Sequence, residues 1–222
     1  MITLPDFTKA YEYENEFYLS CDRSRIGKLL AHYELYKMTC NTEGDIVECG
    51  VFKGASFARF AMFRNLFEQN SGKKIIGFDS FGKFPETNFE ADKKLRDHII
   101  NEAGENSIST DQLMDVLKNK SCDNGIELVA GDITQTLPEY VRKNPGLRIS
   151  LLNLDTDIYE PSVTILEELY PKIVPGGILV LDDYNVFPGE TKAVDDYFKG
   201  KNPEIKKFPF SATPCYIIKE EN

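Results

Sequence analysis

The feature that most constrains this chain is an alternation of short apolar runs with helix-spaced segments, nearly every run ending on a carboxylate. Residues 23–39 set Ile26, Leu29, Leu30, Tyr33 and Tyr36 at helical spacing, and Asp45–Cys49 follows as a short apolar run closed by glycine. Residues 55–68 read as helix again, and Lys74–Phe78 is a second strand leading into Asp79. Ile126–Ala130 is a third strand, followed by Gly131, Asp132 and a helix near 134–143. Arg148–Leu154 is the fourth; it ends at Asp155 and precedes a helix at 161–170. After a Pro175-Gly176-Gly177 turn, Ile178–Leu181 ends at Asp182 and Asp183, and a helix at 190–199 and a closing strand at Cys215–Lys219 follow. Strand alternating with helix predicts an α/β fold, a parallel sheet covered on both faces. In such sheets ligands bind beyond the C-terminal strand ends, where strand order reverses. Here those ends deliver Glu48, Asp79, Asp132, Asp155 and the pair Asp182-Asp183 to one rim. Any one of these acids could be a helix cap, but five in register read as a binding rim.

Residues 80–107 interrupt the alternation with a polar stretch, which predicts a lid or insertion carrying a short helix around Lys93–Ile100. Ser109 then opens a helix, with Gln112 in the capping-box position. A length of 222 residues fits a single domain over 1–222, with 1–44 as an N-terminal helical cap. The net charge of −10 argues against nucleic acid as a partner and against an anionic membrane surface. No apolar run approaches the roughly 18 residues of a membrane span. The N-terminus is acidic and aromatic, without the regions of a secretion signal, so the expected address is cytoplasmic. Five cysteines stand at 21, 40, 49, 122 and 215 without a C-x-x-C spacing, as scattered reduced thiols do. Only two histidines are present, which excludes a His-rich metal site.

The first turn, Glu48-Cys49-Gly50-Val51-Phe52-Lys53-Gly54, fits neither a dinucleotide fingerprint nor a P-loop. An acid at the strand end followed by two spaced glycines suits a ligand with a cationic end and no pyrophosphate. Glu48 would take the ammonium, and Gly50 would allow close backbone approach. Asp79 follows the second strand, where a carboxylate accepts two hydrogen bonds from a ribose diol, and Asp132 lies where an adenine edge is read. An amino acid, a ribose and an adenine together describe S-adenosylmethionine. NAD would suit Asp79 equally well but not the glycine-poor first turn. The densest feature is Asp155-Thr156-Asp157 on one strand end and Asp182-Asp183 on the next. Carboxylates so close repel one another unless a cation sits among them, and oxygen ligands without His or Cys suit Mg²⁺, or Mn²⁺ in its place. The simpler reading is that Asp157 caps the following helix and Asp183 is merely solvated.

The motifs E-C-G-V-F-K-G, G-F-D-S-F, T-L-P after Gly131-Asp132, L-D-T-D-I-Y-E, Y-P-K-I-V-P-G-G and L-D-D-Y, in this order, together resemble the macrocin O-methyltransferases. The resemblance covers roughly residues 20–200. It implies a three-layer, Rossmann-like class I methyltransferase fold with a mostly parallel seven-stranded sheet. It implies S-adenosylmethionine and Mg²⁺ as cofactors, and a small hydroxylated acceptor, in this family a sugar or glycoside. By position, Glu48, Gly50, Val51 and Phe52, with Asp79, Ser80 and Phe81, look like cofactor contacts, and Asp155, Asp182 and Asp183 like the metal ligands. The sequence departs from the family at Phe52-Lys53, where Trp-Arg is usual, and at Thr156, where Gly is usual. Two adjacent acceptor hydroxyls would chelate the metal, and the proton would pass to Asp155 or to a lid residue such as His98. An ordinary surface histidine is the alternative for His98, and His32 on a predicted helix reads as structural. A catechol-type acceptor and a nicotinamide oxidoreductase are the rival readings, the latter disfavoured by the first turn and by the absence of a Tyr-x-x-x-Lys pair next to a plausible Ser. Assembly of several copies stays open.

Overall fold

The computed structural model describes residues 2–68 and 72–221. Its sheet holds β1 (Asp45–Cys49), β2 (Ile75–Asp79), β3 (Ile126–Ala130), β4 (Ile149–Leu154), β5 (Ile173–Leu181), β6 (Lys206–Lys207) and β7 (Cys215–Ile218) in the order β3-β2-β1-β4-β5-β7-β6. The first five pair in parallel; β7 runs antiparallel to β5 and β6, so the sheet is mixed at one edge. The helices are α1 (Ala10–Ser20), α2 (Arg23–Thr39), α3 (Ala55–Phe67), α4 (Glu90–Ala103), α5 (Thr110–Asn119), α6 (Ile133–Lys143), α7 (Tyr159–Leu169) and α8 (Pro188–Tyr197).

The alternation along each strand sorts the core into two layers. Ile46, Leu151, Ile178 and Val180 face Leu35 and Tyr36 of α2, Phe57 and Phe60 of α3, and Leu113 of α5. Their neighbours Val47, Leu152, Leu179 and Leu181 face the other way, onto Leu137 of α6, Ile165 and Leu169 of α7, and Val194 of α8. A strand buried on both faces must be apolar throughout, which is why β4 and most of β5 read as unbroken hydrophobic runs. This parity also fixes where the strand-end acids point. Glu48, Asp155 and Asp182 continue the α2/α3 face, whereas Asp183 continues the α7/α8 face.

Local differences from the sequence reading have physical causes. β5 begins at Ile173 rather than Ile178, because Pro175 and Gly176 form an exposed bulge and not a turn between elements. Pairing with β4 jumps there from Ile149↔Ile173 to Leu151↔Ile178. In the polar 80–107 stretch, α4 occupies fourteen residues, longer at both ends than 93–100. The capping box of α5 forms as expected, with Ser109 and Gln112 bonded reciprocally. β6, only two residues long, left no periodicity to read. Of residues 1–44, α2 packs on β4 and β5, while α1 buries none of its side chains. All five cysteines are free, and no helix of the described residues is long and apolar enough to cross a membrane.

Candidate active site

Strand order reverses between β1 and β4, which opens a crevice beyond their C-terminal ends. The two ends are drawn together by Asp155 N–H donating to Cys49 O at 2.9 Å. Gly50 sits at φ +92°, and a Cβ there would lie 1.7 Å from the Asp155 carbonyl oxygen. No other residue allows the two strand ends to meet so closely. A cavity of about 470 Å³ follows, bounded at β1 and β2 by Gly50, Phe52, Asp79 and Ser80, and at β3 by Gly131 to Thr134. Its far side is Asp155 to Ile158 of the β4 end, with Phe84, Pro85 and Asn88 from the 80–107 stretch. A wider groove of about 1060 Å³, beside Tyr170, Tyr197 and Lys219, contains none of the strand-end acids.

Asp79 is the clasp of this cavity. One oxygen accepts from Val51 N at 2.8 Å and Phe52 N at 2.9 Å, and the other from Phe81 N at 2.7 Å. Phe52 and Phe81 both hold left-handed backbone, φ 47° and 46°, a conformation that costs a non-glycine residue free energy. The charge-assisted bonds to Asp79 offset that cost and fix both turns. The ribose-binding carboxylate expected from sequence is thus already engaged by backbone. Asp132 lies on the rim as the cap of α6, accepting from Thr134 N at 2.9 Å. Of the remaining expected cofactor contacts, Gly50, Phe52 and Ser80 line the cavity, while Val51 and Phe81 do not.

Glu48 corrects the sequence reading. Its side chain is 0% exposed, does not line the cavity, and accepts from Ser56 Oγ of α3 at 2.6 Å. Strand parity turns it inward, under α2 and α3, away from the cavity. Burial pushes its pKa up to about 8, so it is mainly neutral at pH 7. Its second oxygen has no partner, nor has either side-chain polar atom of Asn153, its neighbour across the strands.

The acid cluster also differs from the expected set. One oxygen each from Asp155, Asp157 and Asp183 lies within 4.8 Å of the others. Asp182 is not among them, because parity turns it toward α2. There one oxygen binds the Lys28 ammonium and the other faces His32 Nε2 at 3.4 Å. Burial alone would raise its pKa, but the Lys28 charge and the bonds from Lys28 and His32 hold it well below the usual carboxylate range. Arg59 donates to His32 Nδ1 at 2.9 Å. Burial lowers the pKa of His32, so the ring is neutral, with its proton on Nε2 toward Asp182.

The three converging acids behave oppositely. Burial, then the Asp182 charge, raises Asp155 well above normal; burial, then Asp157 and Asp182, does the same for Asp183. Asp157 is pushed up to about 7, chiefly by burial. It is no helix cap either: the N-cap of α7 is Ile158, without a side-chain bond. Three oxygens made basic by burial and then by neighbouring carboxylates suit a hard divalent cation. Behind them, Glu190 of α8 accepts from Asp183 N at 2.9 Å.

His98 falls outside this constellation. It lies on the exposed side of α4 and does not line the cavity, so the candidate proton acceptor it offered is corrected to a surface histidine. The sequence reading missed Lys28, Arg59 and Glu190. Lys28 and His32 stand four apart on α2, one helical face, and a cation on that face above strand-end acids was the available signal. Glu190 carried none.

A seven-stranded, mostly parallel sheet ordered β3-β2-β1-β4-β5-β7-β6, with its crevice at the β1/β4 reversal, is the architecture of class I methyltransferases. A family model for the macrocin O-methyltransferases (TylF) matches residues 22–207, and the chain belongs to that family. Over 160 residues it is 29% identical to the 8-demethyl-8-(2,3-dimethoxy-alpha-L-rhamnosyl)-tetracenomycin-C 4'-O-methyltransferase of Streptomyces olivaceus, covering 69% of this chain and 58% of the relative. It is 28% identical over 160 residues to the mycinamicin III 3''-O-methyltransferase of Micromonospora griseorubida, covering 69% of this chain and 60% of the relative. The chain thus spans less than two thirds of the length of these curated relatives. The crystal structure of the calicheamicin methyltransferase CalS11 superposes with a TM-score of 0.79 at 27% identity, over 94% of this chain and 84% of that one.

Proposed function

We propose that this chain is an S-adenosylmethionine- and Mg²⁺-dependent O-methyltransferase that acts on a hydroxyl of a sugar or glycoside. Family membership supports methyl transfer, and the relatives' names support the sugar. The observation that carries the metal is the convergence of Asp155, Asp157 and Asp183 at the cavity edge, where burial and mutual repulsion favour a bound cation. When bound, S-adenosylmethionine supplies a sulfonium methyl group and Mg²⁺ the Lewis acidity that lowers the pKa of the acceptor hydroxyl. The chain's own part is positioning. Asp79 fixes the turns over β1 and β2, Gly50 lets the crevice close on Asp155, and Asp132 to Thr134 form the wall over β3. Asp155, Asp157 and Asp183 hold the cation, and Asp182 remains on Lys28. Asp155 also lines the cavity, which places its carboxylate to take the hydroxyl proton. The net charge of −10 suits a small neutral acceptor better than nucleic acid.

Calorimetric titration with S-adenosylmethionine and with NAD tests the cofactor; binding of NAD alone would end the methyltransferase reading. Turnover on a rhamnosyl glycoside should vanish with EDTA and return with Mg²⁺ or Mn²⁺. Turnover that survives EDTA would give the three aspartates another task. Methylation of a flat catechol and of no sugar would replace the acceptor and leave the reaction in place.

A further inference from the structure

We infer that Asp92 of α4 is a positioning residue that ties the cavity wall to the two loops carrying Asp157 and Asp183. Its carboxylate is 0% exposed, although it projects from a helix of the polar 80–107 stretch. One oxygen accepts from Tyr159 N at 3.0 Å and the other from Gly189 N at 2.7 Å. These are first-turn amides of α7 and α8, donors without a partner inside their own helices, at the positive end of each helix dipole. A single carboxylate therefore holds two helix starts together.

Both starts adjoin the acid cluster. Tyr159 lies two residues past Asp157. Beside Gly189, the Glu190 carboxylate accepts from Asp183 N at 2.9 Å, and Glu190 N donates to the Asp157 carbonyl at 3.3 Å. A shift of Gly189 would be passed to the backbone of both acids. The space at Gly189 is taken up by this contact: a Cβ there would lie 2.0 Å from Asp92 Oδ2 and 2.5 Å from Tyr159 N. One turn along α4, on the same face, Arg96 Nε donates to the Pro85 carbonyl at 2.7 Å and Nη2 to that of Phe84 at 3.3 Å. Phe84 and Pro85 line the cavity. Glu160 completes the strut by accepting from Thr87 Oγ1 at 2.9 Å and Asn88 N at 2.7 Å. Helix α4 is thus held to the cavity wall by one side chain and to the acid loops by another.

The affinity arm of the test rests on the metal-assisted reading above, and the exchange arm does not. Asp92→Asn keeps the shape but offers one acceptor oxygen to two amides. Its Mn²⁺ dissociation constant, read by electron paramagnetic resonance with the metal alone, should rise about 10–100-fold, the range typical when a residue that orients metal ligands is lost. S-adenosylmethionine affinity should change less than threefold. Hydrogen exchange should quicken together at residues 157–160 and 183–190. Gly189→Ala, which keeps the carboxylate but displaces it, should do the same, and the double variant should be little worse than either alone. Arg64→Met, in a buried contact remote from the cavity, controls for general destabilisation and should leave Mn²⁺ affinity unchanged. If wild type binds no Mn²⁺, the metal reading fails and exchange decides this inference separately. Unchanged exchange in both loops of Asp92→Asn, or Mn²⁺ affinity within twofold of a metal-binding wild type, overturns it. If Asp92→Asn does not fold, Gly189→Ala supplies the same measurements.

Discussion

Replacing Glu48 with Gln should make the protein more tolerant of alkaline pH, by an amount the structure fixes. Folded, Glu48 titrates near pH 8, raised mainly by burial; unfolded, it titrates near the ordinary glutamate value of about 4.3. Between those values the folded chain holds a proton that the unfolded chain has released. Unfolding therefore releases a proton, and wild-type stability falls as pH rises through that window. One unit of pH is worth about 1.4 kcal/mol for one fully linked proton, and rounding at both ends leaves about 3.5 kcal/mol between pH 5 and pH 8. Gln has no such proton, keeps an oxygen for Ser56 Oγ, and occupies nearly the same volume. The stability difference, variant minus wild type, should thus climb by about 3.5 kcal/mol from pH 5 to pH 8 in urea denaturation series. Using the difference cancels the titrating groups that do not feel the Glu48 charge. A flat difference would mean that Glu48 stays ionised in the folded chain, as the ammonium contact expected from sequence would require, and the burial argument would be refuted.

Gly50→Ala should cost at least ~3 kcal/mol of stability in the same denaturation assay, since the new Cβ meets a backbone oxygen and the φ of +92° disfavours any side chain; a loss under about 1 kcal/mol would show that the β1 and β4 ends can part freely. His98→Ala should leave turnover within about twofold and stability within about 0.5 kcal/mol, as for an exposed residue away from the cavity; a large fall in kcat alone would return His98 to the proton-transfer step.

The ordering of strands and helices was legible because each layer leaves a local signature. Apolar runs such as Ile149–Leu154 can be stable only between two covered faces, and helical spacing at 23–39 marks a face that must be buried. The carboxylates at strand ends were legible for the same reason: position after a parallel strand is position at the crevice. What each carboxylate does was not legible. Asp155, Asp157, Asp182 and Asp183 look equivalent in sequence, yet Asp182 meets Lys28 and His32 while Asp157 joins the cluster. Strand parity separates Asp182 from Asp183, and a left-handed residue, Asp157 at φ 64°, turns the loop back toward the edge of β5.

By itself, then, the sequence determined the alternating fold, the crevice and the family, because these depend on patterns that recur within a few residues of one another. Tertiary structure decided the chemistry of individual acids, because a carboxylate's charge state and partner depend on what another element brings to it. Asp79 bonds to backbone folded back from β1, Glu48 is neutral because α2 and α3 cover it, and Asp92 grips two helices 67 and 97 residues away. Contacts across such separations leave no trace in local periodicity; burial and distance in the folded chain create them.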